Sequence, residues 1–215
     1  ARLIHISYII RAKFKFYAKT SFRIVSKTVG NTRAAPHRYE SMQKPFGRNV
    51  LFCHGCIKTA NYCANFRSDD SSARSKYWLQ WINEERCVQS AMQADAADQT
   101  MHVTRTLDNE DTDAGVVRSL VSDYIRTIDG LYCDEHPKIL SVFGYTSTML
   151  ETLRHPLVWH IGTKSYCLGS CDGVAPDVIA RCLDRMRCWV VLMKATAAAE
   201  FPSFEIMHVI AHVAP

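Results

Sequence analysis

In the segment SYCLGSCDGVAPDVIARC, Cys167 and Cys171 each stand between small residues: Ser165-x-Cys167-x-Gly169, then Gly169-x-Cys171-x-Gly173. Small residues two positions either side of a Ser or Cys allow a sharp strand-to-helix turn that lifts the side chain as a nucleophile. A thiolate held this way, with a histidine base and a carboxylate to orient it, performs acyl transfer. The downstream groups that could serve are His208 and His212, with Asp184, Glu200 or Glu205. The same turn also suits a simpler role, an anion held at the N-terminus of the helix that Pro176 opens. The simpler role is the expected one, and a cysteine hydrolase using Cys171 or Cys167 is the alternative.

A second constellation is Cys53-His54-Gly55-Cys56. Cys53 and Cys56 with Cys133 and His136 offer four ligands of the types that hold structural zinc, provided the fold brings the two halves together. The acidic run LDNEDTDAG fails as a calcium loop, because Ala114 stands where the template needs Gly and Leu120 where it needs Glu. GTKS lacks the upstream glycine of a phosphate loop.

Three short resemblances attach to these residues. YCLG resembles the cysteine turn of dienelactone-hydrolase-like α/β hydrolases, and GSCDG resembles that of glutamine amidotransferases. Both imply a downstream histidine with a carboxylate, and the amidotransferase-style His-x-Glu is absent. Phe52 and C-H-G-C resemble the thioredoxin arrangement, with Pro176 in the place of its cis-proline; that resemblance implies a strand before Cys53 and a helix after it. Each covers only a handful of residues.

Charge is segregated along the chain. Residues 1–50 hold eleven Lys or Arg against one acid, Glu40, a net +10, whereas residues 95–150 hold ten acids against four bases, a net −6. In RAKFKFYAKT, Ala12, Phe14, Phe16 and Ala18 alternate with Arg11, Lys13, Lys15, Tyr17 and Lys19, the spacing of a strand with one cationic face. FRIVSK continues the pattern with Arg23 and Lys27. Paired as a hairpin, the two segments set Arg11 opposite Lys27 and Lys15 opposite Arg23, a repulsion that a polyanion relieves. This reading assigns Arg11, Lys13, Lys15, Lys19, Arg23 and Lys27 to phosphate and Tyr17 to base stacking, with RNA the expected partner. A solvated cationic face and a retained organellar targeting segment are the competing readings.

The elements that must carry these groups follow from period and punctuation. Residues 1–30 are expected as the basic β-ribbon, 31–50 as a linker and 51–215 as a mixed domain. Helical spacing covers about 71–97, with Ser71 or Ser72 as cap. Val117, Leu120, Val121, Tyr124, Ile125 and Ile128 form one stripe of a helix over about 114–128, stopped by Gly130. KILSVFGY, PLVWHIG and CWVVLM read as strands, TSTMLETLRH as a short helix, and FEIMHVIAHV as a strand. Helices alternating with strands predict an α+β or α/β layered fold.

The odd count of nine cysteines leaves at least one thiol unpaired, and the expected setting is an intracellular reducing compartment, cytoplasmic or organellar. No apolar run approaches the roughly 18 residues of a membrane span. The expected function is a non-enzymatic RNA- or anion-contacting subunit of a larger assembly. Several motifs are begun and none is complete, as in a sequence without evolved function; the clean stripe from residue 117 to 128 argues against that alternative.

Overall fold

The computed structural model describes residues 7–20, 40–107 and 114–200. Among them run eight α-helices: α1 (Tyr8–Thr20), α2 (Glu40–Leu51), α3 (Cys53–Phe66), α4 (Asp70–Trp81), α5 (Glu84–Leu107), α6 (Ala114–Tyr132), α7 (Tyr145–Leu153) and α8 (Pro176–Glu200). The sheet among the described residues is one antiparallel hairpin, β1 (Leu157–Ile161) and β2 (Lys164–Leu168), between α7 and α8. The α+β or α/β expectation is overturned: the described residues are mostly helical.

The reason lies chiefly in two stretches expected as strands. In α1 the buried residues are Ile10, Phe14 and Ala18, spaced i, i+4, i+8, and every second residue of an alternating pattern also falls on that stripe. Ala, Lys and Arg favour helix, and Ser7 stands as its N-cap, with the Ile10 N–H 3.4 Å from Ser7 Oγ. The expected hairpin is thus replaced over residues 8–20 by a helix; Arg23 and Lys27 lie outside the described residues. CWVVLM likewise belongs to α8, where Cys182, Met186 and Val190 are buried at i, i+4, i+8.

Other boundaries move for local reasons. Residues 40–50, expected as linker, fall within α2 despite Pro45. The helical stretch near 71–97 is two helices, and α5 continues beyond it to Leu107. Asp69, rather than Ser71 or Ser72, caps α4 by accepting from the Ser71 N–H at 3.1 Å. Asn83 accepts from the Arg86 N–H at 2.9 Å and starts α5. Gly130 lies inside α6, and residues 138–145 hold a 3₁₀ turn, Lys138–Leu140, instead of a strand. The helix over TSTMLETLRH, the strand over PLVWHIG and the helix start at Pro176 all form as expected. The expected strand over FEIMHVIAHV lies outside the described residues.

Helix α5 is the axis of the packing, touching α2, α6, α7 and α8. Its buried residues include Ala91, Ala94 and Ala96, whose small side chains let neighbouring helices approach, with Val88, Met92 and Met101 filling between them. Asp95 of α5 also starts α7: its carboxylate accepts from the Tyr145 and Thr146 N–H groups, each at 2.8 Å, and from Thr146 Oγ1 at 2.7 Å. On the other side α3 packs against α1, α4 and β1. Helix α8 is tied down by Arg181 and Arg185 on Glu85 and by Lys194 on Asp129 at 2.6 Å.

Candidate functional site

Helix α1 carries the basic residues on a docked element. Its inner face, Ile10, Phe14 and Ala18, packs on α3, with Phe14 edge-to-face against Phe52 at 6.0 Å. Gly55 of α3 makes this close approach possible, since a side chain there would meet the Ala18 backbone at 3.1 Å. Arg11, Lys15 and Lys19, all exposed, fall at i, i+4, i+8 along the outer surface. Beside them Tyr8 is 82% and Phe16 60% exposed, two rings turned to solvent.

The remaining predicted contacts are placed differently. Lys13 lies over the Tyr62 ring of α3 at 4.9 Å, a cation–π contact that joins it to the protein. Tyr17 is half-buried and meets Phe16 edge-on at 5.5 Å. The outward rings Tyr8 and Phe16 were missed by sequence reasoning because a strand assigns Phe16 to the inner face with Phe14. The signal that finds them is the i, i+4, i+8 spacing of Ile10, Phe14 and Ala18.

The expected zinc ligands do not converge. Cys53 and Cys56 sit in the first turn of α3, while Cys133 and His136 are exposed beyond α6. Among the described residues no group of three or more His, Cys, Asp or Glu is arranged to hold a metal ion. Cys53 instead faces Cys87 of α5, with the two sulfurs 4.0 Å apart. Sharing of the Cys87 thiol, burial and the Cys87 charge all push the Cys53 thiol up, and burial raises Cys56 to about 12. These thiols are neutral at pH 7 and poor nucleophiles. The thioredoxin resemblance also lapses, because helix α2 precedes Cys53 where a strand is required.

Around Cys167 and Cys171 the strand–turn–helix context is present, with β2 leading into α8. Both cysteines are exposed, and the Cys167 thiol lies 3.7 Å from the Gly169 carbonyl oxygen. The turn has a packing role: the Ser170 N–H donates to the Leu153 carbonyl at the end of α7 at 2.9 Å. A side chain at Gly169, where φ is +88°, would collide with that carbonyl. Asp184 is exposed on α8 and pairs with Arg187 at 2.9 Å; His208, His212 and Glu205 lie outside the described residues.

Among the described residues no helix is long and apolar enough to cross a membrane. No protein-family model, no curated protein and no solved structure matches this chain.

Proposed function

We propose that the outer face of α1 binds a polyanion, with single-stranded RNA the favoured form. The supporting observation is the stripe of Arg11, Lys15 and Lys19 beside the outward rings of Tyr8 and Phe16 on a helix whose other face is anchored. Like charges at i, i+4 repel each other, and phosphates relieve that repulsion while releasing counterions. Aromatic rings turned to solvent stack on unpaired bases, at about 1–3 kcal/mol per base. An anionic membrane surface is the poorer match. A helix lying in a membrane buries its main apolar face in lipid, and here Ile10, Phe14 and Ala18 are already buried in protein.

The test is fluorescence anisotropy with labelled oligouridylate at several salt concentrations. The double variant Lys15→Gln/Lys19→Gln, both sites exposed, retains its helical circular dichroism and binds more weakly. Its salt dependence flattens by about 0.7 in log–log slope for each phosphate contact removed. Affinity and slope equal to the parent protein would overturn the proposal, as would tighter binding to anionic vesicles than to RNA.

A further inference from the structure

A cleft of about 550 Å³ opens between α1, α2, α3, α4, α5 and α7, on the side of α3 that carries its cysteines. Its size falls within the roughly 300–1,000 Å³ of small-molecule sites. The walls are chiefly apolar, with Ile10, Val50 and Met149 buried, Phe46 half-buried and the indoles of Trp78 and Trp81 toward solvent. Trp78 and Trp81 are 40% and 52% exposed, large apolar surfaces that an occupant would cover.

The charged residues that line this cleft have one sign. Arg74 and Arg86 line it, and no Asp or Glu does. Its four cysteines, Cys53, Cys56, Cys63 and Cys87, line it as thiols and contribute no zinc-like cluster. Arg74 pairs with Asp70 at 2.7 Å on the solvent side, so its charge is partly answered. Arg86 differs. Its guanidinium lies over the Trp81 ring at 3.7 Å, and its Nη1 donates to the Trp81 carbonyl. That contact occupies one N–H and orients the planar fork, leaving further donors for a planar anion.

We propose that this cleft binds a small amphipathic carboxylic acid, its apolar body between Val50, Trp78 and Met149 and its carboxylate on Arg86. The site is separate from the outer face of α1, and its occupancy does not depend on RNA binding.

The experiment titrates the full chain with decanoate below its micelle concentration and with decanol of equal chain length, read by tryptophan fluorescence. Decanoate saturates and binds about ten-fold or more tightly than decanol, the difference expected for one charge-assisted contact. Arg86→Met, at an exposed position, brings decanoate down to the affinity of decanol while decanol binding and the thermal melt stay as in the parent. Equal affinity for acid and alcohol in the parent, absence of saturable binding by either, or an unchanged ratio in Arg86→Met would each overturn the site.

Discussion

His54 follows Cys53 into α3, only 8% exposed, and among the described residues its Nε2 has no hydrogen-bond partner. Burial lowers its pKa from the ordinary 6.5 to about 4, and the charges of Lys58 and His155 add to the effect. The unfolded chain takes up this proton near 6.5 whereas the folded chain resists until about 4. Between those values the unfolded state binds more protons, so stability is full above the window and is lost as pH falls through it. The loss attributable to His54 amounts to about 3 kcal/mol across the window. Urea unfolding at pH 7 and pH 4 checks this. The parent loses more stability than His54→Leu on acidification; equal losses in the two proteins would remove His54 from the account. Histidine between two cysteines invites a metal reading, yet burial makes it a neutral core residue.

At the scale of elements, the glycine turn between β2 and α8 shows how a motif can be real in shape and different in purpose. Gly169 is needed because its backbone sits at φ +88° and lies directly against the Leu153 carbonyl at the end of α7. Gly162 occupies the β1–β2 turn at φ +59°, and a side-chain carbon added there would meet nothing within 4 Å. Gly169→Ala is therefore expected to cost about 2 kcal/mol or more, combining backbone strain with a collision, and Gly162→Ala about 1 kcal/mol from strain alone. Equal costs by urea denaturation would contradict the docking role. The turn, β1, α7 and the start of α8 were legible because short-range signals, Gly, Pro and tight alternation, decide them. The fold class was not. Ile10, Phe14 and Ala18 satisfy period 2 and period 4 together, and helix propensity, the Ser7 cap and the docking surface on α3 favour the helix. Similarly, Cys53 and Cys56 are close in sequence, but the partner Cys53 meets is Cys87, a pairing that packing of α3 on α5 creates and spacing does not reveal.

For the whole molecule, the charge asymmetry survives the change of fold in a new form. The basic residues described near the N-terminus stand on a helix rather than a ribbon, and Lys13 is drawn to Tyr62 while Lys15 and Lys19 stay exposed. The acidic half is partly consumed inside the structure: Asp95 caps α7, and Asp129 pairs with Lys194. The cationic stripe on α1 stands on an anchored helix, and it is the surface proposed to meet a polyanion. Ultraviolet cross-linking of oligouridylate to the protein, with the modified residues mapped by mass spectrometry, tests that claim most directly. The account predicts cross-links at Tyr8 and Phe16, lost in Lys15→Gln/Lys19→Gln; cross-links confined to residues outside α1, or none at all, would contradict it.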